Sequence, residues 1–407
     1  MTKLVFRDLS FLEKENKVIV SFLDIFYFEL DKSSLEKIGP YIISKHSIEF
    51  NASRERAEHK FNFFINQGIL YHLKNKVTGR KTIYIHRNSG IPLIGTNYFG
   101  IIDRGTSLIE IKPITGCNLN CCYCSIDEGR FSKTRVIDFI VEKDYLVEET
   151  KKVVDFKGIR GIEIHIGPQG EPLLYRDLAA LIKELSALKQ VSIISMDTNG
   201  VLLNKKKVDI LVKNGLNRFN LSINAINHEI AKKMADTAYD VKKVLKIASY
   251  IVKKTDLIIT PVWVPGINDQ EIPKIVEFSL KIGAGKNCPP IGVQNFLCYK
   301  FGRKPVKEKK LDIFYQELRK LEHQYNIQLI TSSGDYGIKK AKSLPKPFKK
   351  GDLINATIVC EGRLKNEMLA VSKNRVISVP HCREKIGKSI KLRIVRSKHN
   401  IFTGLLY

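Results

Sequence analysis

Between about residues 106 and 345 the chain alternates short apolar runs with longer stretches of helical periodicity, the pattern of parallel βα units. The apolar runs predict strands at residues 108–111, 162–166, 191–196, 218–223, 257–264 and 291–297. Ahead of them, residues 1–105 mix predicted strands, such as 18–22 and 82–86, with a predicted helix over 54–65, and so form an α+β accessory domain. On that helix Phe61, Phe63, Phe64 and Ile65 read as core packing rather than as a base-stacking surface. Residues 346–352 read as a linker and a new start. Beyond them, short strands predicted at 355–360, 369–371, 375–379 and 390–396 suggest a small β-barrel over residues 346–407.

Polar residues interrupt the buried strands in a regular way. Glu163 and His165 alternate with isoleucines, Ser195, Asp197 and Asn199 make a second row, and Asn220, Ser222 and Asn224 a third. Strand side chains alternate faces, so three such rows predict an inner wall facing a polar ligand. Hydrogen-bonded structural polars at strand ends are the alternative.

The densest chemistry follows the first predicted strand, where Cys117, Cys121 and Cys124 stand in a C-x₃-C-x₂-C spacing. That is the carboxyl end, where βα barrels place their chemistry. Thiolates so close repel as they ionise, which makes sense mainly around a metal centre. A structural zinc would need His165 as a distant fourth ligand, and the spacing is not that of paired zinc-ribbon cysteines. Cys122 reads as a small buried hydrophobe.

With Tyr123 the segment completes C-x₃-C-x-Φ-C and resembles the radical S-adenosylmethionine (SAM) superfamily. The resemblance implies an α/β fold built on a partial (β/α)₆ barrel, with Cys117, Cys121 and Cys124 holding a [4Fe–4S] cluster. The open iron would chelate the amine and carboxylate of SAM, with Tyr123 beside the adenine. Gly167–Pro172 keeps the final Gly-Glu of a family segment that contacts the SAM amino group, which carries that role to Gly170 and Glu171; a plain tight turn is the alternative. Asn199 and Ser222 are candidates for the ribose and carboxylate, with Asn224 beside them, and residues 264–269 resemble the adenine-contacting region. Trp263 reads as core. Cys298, after the sixth strand, would emerge near the barrel mouth, where a thiol relays hydrogen or carries a methyl group; an unreactive buried cysteine is the alternative. The basic run at 300–304 is either a solvated loop or a phosphate contact.

Composition then narrows the partners. Of 407 residues 43% are hydrophobic, no run of about eighteen apolar residues occurs, and the start lacks a signal-like apolar run, so no membrane segment and a cytoplasmic location are expected. Eight cysteines in so long a chain are no disulfide framework and imply a reducing compartment. The net charge of +26 predicts a polyanionic partner, although a hot habitat also enriches lysine. From Lys346 onward fourteen Lys or Arg face four Asp or Glu. This tail, with Phe348, Gly351 and Asp352, resembles a TRAM domain, an OB-like module that implies RNA binding; the alternative is a basic barrel that only packs against the enzyme. Over nearly the whole chain the resemblance is to an archaeal group of radical SAM proteins with a carboxy-terminal TRAM domain, to which residues 101–106 and 302–304 also belong. The second cluster of the transfer-RNA methylthiotransferases has no counterpart, since no cysteine precedes Cys117.

These implications combine into one expectation. The chain would be an iron–sulfur enzyme that reductively cleaves SAM to a 5′-deoxyadenosyl radical and modifies a nucleotide in transfer or ribosomal RNA, with electrons from a donor such as ferredoxin or flavodoxin. The alternatives are a radical SAM enzyme acting on a protein side chain, for example a methyltransferase, and a non-catalytic iron–sulfur RNA-binding protein. Removing residues 346–407 is expected to weaken RNA binding and leave SAM cleavage intact.

Overall fold

The computed structural model describes residues 1–167 and 169–407. Its central sheet orders five parallel strands, Leu108–Lys112, Ile162–Ile166, Val191–Thr198, Arg218–Leu221 and Asp256–Ile259, each beside the next. The helices between them bury one apolar stripe each. In Val241–Ile251 the stripe is Val241, Val244, Ile247, Ala248 and Ile251, the spacing of a 3.6-residue repeat. Local caps start these helices: the side chains of Asn204, Asn227 and Asp240 accept from backbone N–H groups of the first turn.

The sixth strand differs from the expected continuous run. Pro261 splits the fifth strand, having no N–H to give, so the expected strand 257–264 divides into Asp256–Ile259 and Val262–Trp263. The sixth pairs with it piecewise, through a bridge at Ile259–Ile291 and through Gln294–Asn295. The result is an α/β fold with an open, barrel-like sheet, its carboxyl strand ends gathered on one side.

Two strands tie this sheet to its neighbours. Gly100–Asp103 adds to its edge, antiparallel to Leu108–Lys112. Ile137–Val141 instead pairs in parallel with Lys81–Ile85, in the amino-terminal six-stranded sheet. Residues 113–136, which contain the cysteines, are therefore strung between two sheets. In the amino-terminal helix Arg54–Gln67, Ala57, Phe61 and Ile65 face the core at spacings of four, whereas Phe63, two positions off that row, is 55% exposed. The expectation that Phe63 is core fails for that reason.

At the carboxyl end Leu353–Glu361, Glu367–Ser372, Arg375–Pro380, Phe402–Leu406 and Ser389–Arg396 close a small barrel in that order. Phe348 fills its centre, 5.4 Å from Phe402. The barrel is welded to the rest: Val376 N–H donates to Ile94 O at 2.9 Å and Phe402 N–H to Gly95 O at 2.8 Å, while Leu369 and Val376 belong to the main core. No helix among the described residues is long and apolar enough to cross a membrane.

Candidate active site

The cysteine loop is held by backbone bonds from three directions. Asn120 and Cys122 N–H donate to the carbonyls of Ala235 and Met234, which the end of helix His228–Ala235 leaves without partners of their own. Cys124 N–H turns back to Cys121 O at 3.1 Å. Gly116 bridges in parallel to Gly170, and Glu171 N–H donates to Gly116 O at 2.9 Å, which docks the loop on the end of the second strand. Leu119 N–H and Glu128 N–H point at the sulfurs of Cys117 and Cys124, at 3.4 and 3.2 Å, a contact that favours thiolates.

Between this loop and the strand ends lies a cavity of about 290 Å³. Cys117, Cys121, Cys124 and Tyr123 line one side. Gly170, Glu171, Asn199, Ser222 and Asn224 line the other. Glu171 is 2% exposed: its Oε1 accepts from Thr198 Oγ1 at 2.7 Å and Leu173 N–H at 3.1 Å, and its Oε2 from Asn199 N–H at 2.9 Å. Burial pushes its carboxyl up to about 7, against the pull of those donors. Asn199 Nδ2 in turn donates to Asn118 Oδ1 at 2.9 Å and lies 3.7 Å from Cys117 Sγ. Asn224 Nδ2 donates to the Tyr123 hydroxyl at 2.5 Å while its Oδ1 accepts from Val262 N–H. Each strand end thus grips the cysteine loop.

Burial raises all three thiols, and neighbouring sulfurs add to it for Cys117 and for Cys121, which reaches about 12. Thiols so placed give up their protons readily only to a metal.

A family model described as "Radical SAM superfamily" matches residues 111–279. An uncharacterised protein of Methanocaldococcus jannaschii, MJ0103, is 41% identical over 421 residues, which span 97% of this chain and 96% of that protein. The chain belongs to the radical SAM superfamily. A GTP 3′,8-cyclase of Chlorobaculum tepidum is 28% identical over 201 residues, 48% of this chain and 56% of that enzyme. Among solved structures, Streptococcus suis SuiB bound to S-adenosylmethionine aligns with a TM-score of 0.44 at 17% identity, covering 81% of this chain and 72% of SuiB. Radical SAM proteins bind a [4Fe–4S] cluster and SAM, and these are the cofactors of this chain.

The donor set of this radical SAM chain fits the cluster better than one zinc ion. Three thiols face one cavity, yet no group of three or more His, Cys, Asp or Glu among the described residues is arranged to hold a single ion, whose thiolates would sit ~2.3 Å from one centre. Several irons spread their thiolates farther apart.

Of the three polar rows, only the carboxyl ends of the second and third reach the cavity, at Asp197, Asn199, Ser222 and Asn224. Below them the side chains pair with one another: Glu163 pairs with Arg218 through Oε1, which also accepts from Ser195 Oγ at 2.5 Å, Ser195 meets His165 Nδ1 at 2.8 Å, and Asn220 donates to the cavity-lining Asp197 at 2.9 Å, while Glu163 Oε2 is buried without a hydrogen-bond partner. The expected ligand-facing wall is, at Glu163, His165, Ser195 and Asn220, a buried network in place of an apolar barrel core. Within it burial lowers the His165 pKa, but Asp197, 3.3 Å away, together with Glu163 and Glu110 outweighs burial and leaves it above the ordinary imidazole value. A raised histidine stabilises the fold fully below its unfolded value of ~6.5, and the contribution fades as pH rises through the folded value. His165→Gln is expected to melt well below the wild type at pH ~6 and to close part of that gap by pH ~9, followed by circular dichroism. A gap constant across that range would place the effect in packing.

Other expectations shift. Cys298 does not line the cavity; its thiol points at Val306 O, 3.6 Å away, within an apolar cluster of Met234, Val264 and Phe296. The flanking Leu297 and Tyr299 line the wall instead. Residues 264–269 stand behind Asn224, whose carbonyl accepts from Asn268 Nδ2 at 2.8 Å, and Thr260 and Val262 line the cavity in their place. Trp263 is buried, donating to Asp269 at 2.7 Å. Cys122 stays off the cavity wall.

Four arginines clamp the cysteine loop, three of them without any local signal in the sequence. Arg303 reaches back to Asp127 at 2.7 Å, to Cys121 O at 3.0 Å and to Glu128 O at 2.8 Å. Arg135 Nε donates to Ile126 O at 2.6 Å. Arg80 meets Asp138 at 3.2 Å, and Arg363, from the carboxy-terminal barrel, meets Asp138 at 2.7 Å, Thr115 Oγ1 at 2.9 Å and Glu128. Only Arg303 carried a signal, in the Gly302-Arg303-Lys304 segment.

Proposed function

We propose that Cys117, Cys121 and Cys124 hold the cluster, that SAM occupies the cavity between them and Gly170, Glu171, Asn199, Ser222 and Asn224, and that the enzyme modifies a nucleotide of transfer or ribosomal RNA. The carrying observation is the cavity itself, which gathers three thiols and the ends of the second, third and fourth strands on one space. Cluster and SAM, when bound, supply a 5′-deoxyadenosyl radical able to take hydrogen from an unactivated carbon.

The chain's own residues do the rest. Glu171, holding Thr198 and Asn199, sets the wall that meets the amino acid portion of SAM. Asn224 fixes the Tyr123 ring against the adenine side. Leu119, Met234, Phe296 and Leu297 give the remaining wall an apolar lining that keeps water from a reactive radical. RNA is supported by the tail, where all Lys and Arg except Arg363 and Arg375 are exposed to solvent.

The test is anaerobic reconstitution with iron and sulfide, followed by SAM and a reductant, with 5′-deoxyadenosine measured by mass spectrometry with and without transcribed RNA. Product is expected to vanish in Cys124→Ala and to rise with RNA, together with a mass change on one nucleotide. Product indifferent to RNA would move the search to protein or small-molecule substrates.

A further inference from the structure

Aromatic side chains exposed to water need a reason when they cluster with cations at the mouth of a site. Tyr299 is 51% exposed and Phe301 40%, on the turn that follows the sixth strand, and Tyr299 lines the cavity. Phe131, 67% exposed, stands on the segment that leaves the cysteine loop. Each lies among exposed cations: Lys300 and Lys304 around the first pair, Arg130 and Lys133 around Phe131. No acidic residue stands within 299–304 or 129–135.

One carboxylate joins the two segments. Asp127 Oδ1 accepts from Arg303 Nε at 2.7 Å, while Oδ2 accepts from Ser132 Oγ and from the N–H groups of Lys133 and Thr134, at 2.9 to 3.0 Å. Arg303 N–H donates to Cys124 O at 2.9 Å, and Gly302 packs so closely that a Cβ there would lie 2.8 Å from Ser125 O. Phe131 N–H donates to Asn120 Oδ1 at 3.1 Å. Both aromatic segments are therefore braced on the cysteine loop itself. Lys300 Nζ, 5.1 Å from the Phe301 ring, leaves cation and ring available together.

We infer that this rim binds an unpaired RNA strand, its bases stacked on Phe131, Phe301 and Tyr299 and its phosphates met by Arg130, Lys133, Lys300 and Lys304. The inference rests on the RNA reading above and adds to it where the strand enters and in what form. A flat π-face held beside a phosphate-spaced cation suits any base, so the rim selects for single strands rather than for sequence. A duplex, its bases stacked inside, offers the rim only phosphate. The tail barrel supplies general attraction, and the rim feeds an unstacked nucleotide to the cavity.

The experiment measures fluorescence anisotropy of a labelled twelve-nucleotide RNA, single-stranded or annealed to its complement, with the cluster-reconstituted full chain. The single strand is expected to bind more tightly than the duplex. Phe131→Ala and Phe301→Ala are each expected to weaken the single strand on the order of tenfold and to leave the duplex unchanged, while Phe301→Trp restores binding. Lys300→Gln with Lys304→Gln should weaken both forms and flatten the salt dependence by roughly one unit of slope for each phosphate no longer neutralised. Equal affinity for both forms, or aromatic variants without effect, overturns the rim and leaves RNA binding to the tail. Aromatic variants that slow reduction by a protein electron donor, with RNA affinity unchanged, also overturn it. Failure of the wild type to bind either RNA overturns the RNA reading as well.

Discussion

Deleting residues 346–407 is expected to cost the enzyme its iron and its SAM cleavage, not RNA affinity alone. The sequence treats the tail as an appended module, but Arg363 from its barrel is fully buried among Thr115, Glu128 and Asp138. These residues frame the cysteine loop, whose backbone also bonds the tail where Val136 N–H donates to Arg363 O at 3.0 Å. Burial, with Arg80 nearby, pushes the guanidinium down to about 9, so it stays charged at neutral pH. Removing it leaves two buried carboxylates, Glu128 at 3% and Asp138 at 0% exposure, facing one arginine, Arg80, with only the neutral donors Asn75, Thr78 and Thr115 beside it on Asp138. Breaking a buried pair by losing one partner costs about 3–5 kcal/mol. The point variant Arg363→Met isolates this from loss of the whole barrel: iron bound per chain and absorbance near 400 nm after reconstitution should fall, with melting temperature reduced. Retained iron in Arg363→Met would show that the tail only packs against the enzyme.

Gly170→Ala is expected to be as damaging as loss of a cluster cysteine, and Gly167→Ala nearly silent. Gly170 has φ of +153°, and a Cβ there would lie 2.1 Å from Gly116 O, a backbone atom with no room to yield. At Gly167 the nearest atom would be His165 Cδ2 at 3.4 Å, an ordinary contact, and φ is not positive. The strained backbone alone costs ~1–3 kcal/mol. At ~1.4 kcal/mol per tenfold, SAM affinity measured by equilibrium dialysis should fall by roughly five- to a hundredfold in Gly170→Ala. The clash also pushes the cysteine loop off the second strand, breaking the Glu171 N–H bond to Gly116 O. Similar SAM affinity in the two variants would mean that Gly170 serves only as a turn residue.

Gly167 and Gly170 look alike in the sequence, and only the approach of Gly116, more than fifty positions earlier in the chain, separates them. The same division runs through the site. Cys117, Cys121, Tyr123 and Cys124 are legible because they stand in one loop, where the spacing along the chain is the chemistry. The strands at 108–111, 162–166 and 191–196 are legible because apolar runs bury themselves whatever their neighbours. The polar rows mark the strands that matter but not their partners. Whether Glu163 meets a ligand or Arg218 depends on which strands lie side by side.

Hydrophobic periodicity and one local motif therefore determine the barrel, the cysteine loop and the family. Tertiary structure alone decided how the loop is held. Arg303 lies 176 residues from Asp127, and Arg363 lies 235 residues from Glu128. An arginine so distant carries no local pattern: its burial is favourable only where folding brings carboxylates and carbonyls round it, and its partners exist only in three dimensions.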